Sequence, residues 1–385
     1  MNPSCTTHIM RKLARKNRIL YINPFSSDLL GVKKGIGKRI PRKLKSIAMC
    51  LRQPIKNLYV FSPIFFPLHG KRFIDNINNV LLKVQIRLAC RLAGINEPIL
   101  WMENPRSADM IELFDSKLVV YHVSDHFDKC RYISNKVKLQ DREKCITNSS
   151  DLLICVSQAI YEDKSVQHDN VFYLPHAVDY NLFRDAAENN VCLDELSEIP
   201  KPIIGYYGTM SASNDIELLL WCAGHLPEMS FVLAGQITGG NYSELEKLPN
   251  VYLLGKLPYE KIPALCAGFD VCMLQWKMTE WIRCCNPLKL MEYMASGRPI
   301  VSVPIDEVIK KYSDVVSLAY NKKEFCDAIV WELQNDTSYR SKKRIGIAFE
   351  HSWDKHIEKI SQMMIDTMVR KKCPVGINDL SVVNC

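Results

Sequence analysis

Nowhere in the 385 residues do 18 or more uncharged apolar side chains run together, so no membrane-spanning helix is expected. No compact apolar stretch follows the first basic residues, so no signal peptide is expected either. The fifteen cysteines include no C-x-x-C pair, and none groups with histidine at zinc-binding spacing. Most sit in apolar segments, as Cys155 does in LLICVS and Cys272 in DVCMLQW, where a free thiol behaves as a small hydrophobe. Reduced thiols in a cytoplasm are the reading; an odd cysteine count in a chain this long argues against a disulfide framework. Acid is scarce at the N-terminus. Residues 1–60 hold fourteen Lys and Arg against the single acid Asp28, a net of +13, so the other 325 residues carry −5 of the total +8. A basic face on a mildly acidic protein points to an anionic partner surface, here an anionic membrane, or is a solvated basic segment. No nucleic-acid-binding motif accompanies the charge, so nucleic acid is not expected as partner.

What is present is the composition of a globular protein, 47% hydrophobic and 24% charged, at a length that suits two domains. Short apolar runs alternate with helical stretches: RILYINPF (18–25), LYVFSP (58–63), a helix over 74–93, PILWME (98–103), a short helix near 108–114, KLVVYHVSD (117–125), a polar helix over about 130–148, DLLICVS (151–157) and NVFYLPHAV (170–178). The acidic, proline-terminated stretch 186–200 breaks the rhythm and is read as a linker. The alternation then restarts with KPIIGYYGTM (201–210), SFVLAG (230–235), NVYLLGKL (250–257), DVCMLQW (270–276) and RPIVSVP (298–304). The expected fold is α/β, two Rossmann-like doubly wound domains facing across a cleft, spanning 1–190 and 201–350, with a closing helix at about 353–372 packing back on the first. Ligands in such sheets bind at the carboxyl ends of strands near helix N-termini, a position that suits a diphosphate.

The sharpest segment is NPLKLMEYMASGRPIVS, residues 286–302. Asn286 can cap a helix and Pro287 fits its first position. The exposed N–H groups and positive dipole end of that helix would bind a phosphate, with Lys289 in the first turn adding a full charge. Glu292, three residues on, shares a face with Lys289 and can accept both hydroxyls of a ribose. The alternative is a capped amphipathic helix whose Lys and Glu are merely solvated.

The N-P-L-K-x-x-E-Y-x-A-x-G form of this segment resembles the donor-binding signature of GT4-like (group 1) glycosyltransferases of the GT-B fold, in the branch of teichuronic-acid and other surface-polysaccharide transferases. IIGYYGTM, FVLAG, NVYLLGKLPYEKIPALCAGFDVCMLQW and TEWIRCCNPLK follow that family's order and spacing. VVYHVSDHF, DLLICVS and LPHAVDYNLF resemble its first-domain segments more weakly, and the likeness covers roughly residues 18–365. The resemblance implies that Glu292 binds the nucleotide ribose. It implies that Lys289 and the backbone of Asn286, Pro287 and Leu288 meet the diphosphate, and that Gly208 and Thr209 form the opposite wall. The family's E-x7-E pattern places its first Glu at position 284, where this chain has Cys284. Glu280 and Arg283 become the candidates for the donor sugar, or are surface charges on a loop.

On the acceptor side Asp125, at the end of KLVVYHVSD, matches a recurrent aspartate of the branch and can orient an acceptor hydroxyl or take its proton, with His126 and His122 as competitors. Asp125 is alternatively a helix N-cap, and His122 a packed core histidine. His176 and Ala177 replace the Asn-Gly common among relatives, and Asp179 is read as structural. The basic loop 31–45 is expected to overhang the cleft, where Lys33, Lys34, Lys38 and Arg39 meet an anionic glycan, a lipid diphosphate or a membrane, or are simply solvated. The resemblance implies a cytoplasmic enzyme, peripheral on the membrane, that moves a sugar from a nucleotide diphosphate sugar to a capsule or O-antigen type glycan or its lipid-linked precursor. It implies retention of the anomer, and neither metal nor other cofactor. A nucleotide-sugar epimerase on the same fold, or a non-catalytic glycan-binding relative favoured by Cys284, are the rival readings.

Overall fold

The computed structural model describes residues 4–23, 51–63, 72–126, 129 and 136–372. In chain order the helices are α1 Cys5–Leu13, α2 Arg72–Leu92, α3 Lys136–Ser149, α4 Gln158–Ser165, α5 Tyr180–Glu188, α6 Ile216–His225, α7 Ile262–Gly268, α8 Glu280–Arg283, α9 Leu288–Ser296, α10 Asp306–Tyr312, α11 Lys322–Asn335, α12 Ser338–Glu350 and α13 Trp353–Lys372. The strands are β1 Ile19–Ile22, β2 Leu51–Ile55, β3 Leu58–Phe61, β4 Ile99–Met102, β5 Leu118–Val123, β6 Leu152–Cys155, β7 Val171–Tyr173, β8 Ile203–Tyr207, β9 Ser230–Ala234, β10 Val251–Gly255, β11 Val271–Leu274, β12 Ile300–Ser302 and β13 Ser317–Leu318.

The chain groups into two units, one of residues 1–5, 101–108 and 120–364, the other of 6–100, 109–119 and 365–385. The larger unit holds a six-stranded sheet in the order β10-β9-β8-β11-β12-β13, parallel throughout. Every residue of β8, β9, β11 and β12 is buried, as a parallel sheet covered on both faces requires. A second sheet runs β4-β5-β6-β7, with β5, β6 and β7 parallel and β5 and β6 wholly buried. In the smaller unit β1 pairs parallel and β2 antiparallel with β3.

Several helices start where the sequence supplies an oxygen cap: Ser157, Asp215, Thr279, Asn321 and Thr337 each accept a hydrogen bond from a first-turn N–H. The stretch 186–200 holds the end of α5 and a 3-10 turn at Asp194–Leu196. Helix α5 buries Phe183 and Ala186 and packs against α7 and α9. The far end of α9 is pinned by charge. Arg344 of α12 is fully buried, donates to the Gly297 carbonyl at 2.9 Å and pairs with Asp336 at 2.6 Å. Gly297 adopts φ 73°, the left-handed conformation that closes α9 and turns the chain into β12.

Candidate nucleotide-sugar site

Helix α9 begins at Leu288, one residue later than its sequence suggests, and Pro287 occupies the cap position. Proline offers no side-chain acceptor, so no side chain caps the first turn. Asn286 is not the cap. Its Nδ2 instead donates to the Val156 carbonyl at the end of β6, 2.8 Å away, and its buried Oδ1 has no partner. The bond from Nδ2 fixes the side chain with Oδ1 away from the first-turn N–H groups, so it caps none of them.

Lys289 is half-buried in the first turn. Its Nζ lies over the rings of Trp276 and Tyr206, 5.2 and 5.5 Å from their centroids, and among the described residues it makes no ion pair. Its stem passes the β8 exit so closely that a Cβ on Gly208 would sit 2.2 Å from Lys289 Cε. Gly208 also has φ +133°, and a Cβ on Gly235 would strike the Gly208 carbonyl oxygen. Conformation demands glycine at 208, and a methyl there would push the flexible end of Lys289 aside. Gly208→Ala is expected to cost roughly 1–3 kcal/mol of stability and to dislodge Lys289; urea unfolding and nucleotide binding measured on one preparation read both effects. Thr209 follows as an exposed residue whose carbonyl accepts from the Tyr206 hydroxyl at 3.5 Å.

One turn further along α9, Glu292 is 2% exposed. Its Oε1 accepts a hydrogen bond from the Tyr259 hydroxyl at 3.2 Å, and Oε2 is buried without a partner. Burial, and secondarily the charge of Asp179, push the carboxyl well above the ordinary range. A carboxylate oxygen left without a donor in a dry site costs free energy, and two vicinal hydroxyls would repay it. Tyr259 and Asp179, 33 and 113 positions away, escape sequence reasoning as neighbours of Glu292 because only the tertiary fold joins them to it.

Glu280 and Arg283 stand on the short helix α8 rather than in a loop. Both are exposed, and Arg283 lies 3.9 Å from Asp306. Cys284, next in the chain, is buried, and its Sγ accepts from Lys129 Nζ at 3.4 Å. Arg283 and Cys284 line a small cavity with Gln158, Glu307 and Lys310. Glu307 is buried there, accepting the Gln158 N–H at 2.8 Å and the Tyr173 hydroxyl.

Asp125 follows β5. Burial raises its carboxyl to about 6 from an ordinary 3.8; the nearby Trp281 indole opposes the rise without reaching hydrogen-bond geometry, and Glu103 adds to it. His126 is buried beside it, its carbonyl accepting the Lys129 N–H. His122 is a core residue, tilted against Trp101 at 5.4 Å and driven down to about 3 by burial and then by His176. Lys33, Lys34, Lys38 and Arg39 lie outside the described residues. The fold therefore gathers Gly208 and Lys289 at one spot with Glu292 a turn along the same helix. It sets Asp125 near Trp281 of α8, and leaves Glu280 on the surface.

The family model for glycosyl transferases group 1 matches residues 201–335, the stretch that carries β8, α9 and this geometry. Over this stretch the chain is similar to the glycosyl transferases group 1 family. The teichuronic acid biosynthesis glycosyltransferase TuaH of Bacillus subtilis (strain 168) is 23% identical over 231 residues, 55% of this chain and 56% of that protein. The likeness thus spans little more than half the length of that curated relative. Among solved structures, Anabaena Alr3699/HepE in complex with UDP and glucose superposes with a TM-score of 0.64 at 14% identity, over 94% of this chain and 95% of that one. The UDP-forming α,α-trehalose-phosphate synthase of Burkholderia xenovorans, with glucose-6-phosphate, gives 0.67 at 9% identity over 95% and 96%. Sucrose-phosphate synthase of Thermosynechococcus elongatus gives 0.63 at 12% over 91% and 99%. Identities this low establish the fold, and the fold is GT-B. Within the matched stretch the partnerless Glu292 oxygen, Lys289 without an ion pair among the described residues, and the uncapped N-terminus of α9 occur on one nine-residue helix.

Proposed function

We propose that the protein is a glycosyltransferase that moves a sugar from a nucleotide diphosphate sugar to a surface polysaccharide or its lipid-linked precursor. The observation that carries this is the buried, partnerless Oε2 of Glu292, one turn from Lys289 on the same helix. In this reading Glu292 accepts the ribose hydroxyls. Lys289 and the N-terminal amides of α9 hold the diphosphate and stabilise the charge that develops as it leaves. Gly208 and Thr209 close the other side; Asn286, Pro287 and Leu288 set the approach to the first turn. Glu280 and Arg283 reach toward the donor sugar. Asp125, with His126 beside it, orients the acceptor hydroxyl or takes its proton. The TuaH likeness supports a surface-polysaccharide acceptor. The UDP in the HepE structure makes UDP the first nucleotide to test. We further propose retention of the anomeric configuration, no metal requirement, and peripheral attachment to an anionic membrane from the cytoplasmic side. No helix among the described residues is long and apolar enough to cross a membrane.

The test is acceptor-dependent release of nucleoside diphosphate from a panel of nucleotide sugars, with and without EDTA, and NMR of the product anomer. Release that needs acceptor, ignores EDTA and gives the donor's anomer is expected. Conversion of the donor without acceptor would establish an epimerase instead, and no turnover with any donor a binding protein.

If Asp125 acts as base, it must be ionised, so kcat/KM is expected to rise with pH and level off above about 6, the acid limb vanishing in Asp125→Asn together with a roughly 10²–10⁴-fold loss of rate. Stability runs the other way. A carboxyl raised from 3.8 to about 6 on folding contributes stability fully below about pH 4, and that contribution is lost as pH rises through 6. Thermal unfolding across this window should show Asp125→Asn losing less stability than the wild type. A pH–rate profile unchanged by the substitution would remove Asp125 from the reaction.

A further inference from the structure

Helix α2 leaves an apolar stripe in water. Leu82, Ile86 and Ala89 bury one side of it in its unit, while Ile77, Val80, Val84, Leu88 and Leu92, at spacings of three and four, are 38–65% exposed. A helix on the surface of a soluble domain normally turns polar residues to that side. Here the stripe has a cationic edge. Lys83, Arg87 and Arg91 each immediately precede one of Val84, Leu88 and Leu92, form their own row at a spacing of four, and make no ion pair among the described residues. The helix contains a single acid, Asp75. Residues 6–100, which belong to the same unit, hold nineteen Lys and Arg against three acids. At the C-terminal end of the stripe Arg87 and Arg91 also line a cavity of about 310 Å³ whose apolar wall includes Ile95 and Phe114.

We propose that α2 is the surface by which this protein lies on an anionic bilayer, with Val80, Val84, Leu88 and Leu92 in the headgroup–acyl boundary and Lys83, Arg87 and Arg91 on lipid phosphates. The proposal rests on the membrane attachment put forward above and gives it a place in the fold. An apolar stripe with a cationic border is what an interfacial helix needs. A second copy of this chain fits the stripe less well, because α2 brings a single acid, Asp75, to meet the cationic row of its copy. An anionic leaflet neutralises every one of those charges.

The experiment is co-sedimentation of the full chain with phosphatidylcholine vesicles, with and without phosphatidylglycerol. The wild type is expected to bind the anionic vesicles and to be released by salt. Val84→Glu with Leu88→Glu should lower the partition at least tenfold, and Leu88→Phe should keep it. Neutralising Lys83, Arg87 and Arg91 to Gln should lower it by about fivefold per charge. These residues are exposed or at the surface, so the thermal unfolding midpoint should be unchanged in every variant. Wild-type binding that all the α2 variants retain would overturn the role of α2 while leaving membrane attachment standing. Absence of wild-type binding to either vesicle would overturn the attachment itself and α2 with it. A wild-type dimer that Val84→Glu with Leu88→Glu turns into a monomer, with vesicle binding intact, would make the stripe a self-association surface.

Discussion

Glu292→Ala should weaken nucleotide binding by two to four orders of magnitude. Two hydroxyls donating to a buried carboxylate make two charge-assisted hydrogen bonds, each worth roughly 1.5–3 kcal/mol, and alanine removes both. Isothermal titration with the preferred nucleoside diphosphate measures the loss. Glu292→Gln separates binding from folding. The wild-type carboxyl is held well above its ordinary range by burial, so its ionisation opposes folding: its contribution to stability is complete below the unfolded value of 4.5 and lost as pH rises through the raised folded value. Near neutral pH the unliganded Gln variant should therefore unfold at the same temperature as the wild type or higher, even though it binds nucleotide less well. A Gln variant that is less stable yet binds nucleotide normally would mark Glu292 as a structural partner of Tyr259 and nothing more.

Lys289→Ala should lower kcat by roughly 10²–10³-fold, the loss typical when one preorganised donor to a developing anion is removed. Its effect on folding should be small, since what it gives up in the unliganded protein is contact with the Trp276 and Tyr206 rings, about 1 kcal/mol. Lys289→Arg should not rescue turnover. The stem is threaded past Gly208, where even a methyl would come within 2.2 Å of Cε, and a planar guanidinium is broader than an ammonium. Steady-state rates beside urea unfolding test the pair. A tenfold or smaller loss in Lys289→Ala would shift the diphosphate contact onto the backbone amides of α9.

The sequence already carries the repeat of buried strands and the site helix. RPIVSVP, DVCMLQW and IIGYY read as strands because a parallel sheet covered on both faces needs uninterrupted apolar runs, and β12, β11 and β8 fall inside them. The end of α9 was equally legible, since Gly297 is the left-handed residue that closes it. What escaped was local structure decided at a distance. Strand β2, LRQPI, carries a proline and exposed polar side chains, and holds only as an edge strand beside β3. Helix α5 runs into the stretch 186–200, which reads as a linker, because Phe183 and Ala186 find α7 and α9 to bury against. Asn286 was a sound cap by composition, but the carbonyl of Val156, 130 residues away, takes its amide. The surroundings of Lys289 and Glu292, namely Trp276, Tyr206, Tyr259 and Asp179, come from four separate segments and carry no mark in the sequence of what they touch.

A nucleoside diphosphate is expected to bind at α9 through Glu292. This is tested by thermal unfolding of the wild type and of Glu292→Ala with UDP, GDP, ADP and dTDP, each with and without EDTA. A true ligand at a hundred times its dissociation constant adds about 2.7 kcal/mol of stability. One nucleotide is expected to raise the midpoint, with an effect insensitive to EDTA and absent in Glu292→Ala; stabilisation that survives the substitution, or none with any of the four, would rule out binding through Glu292.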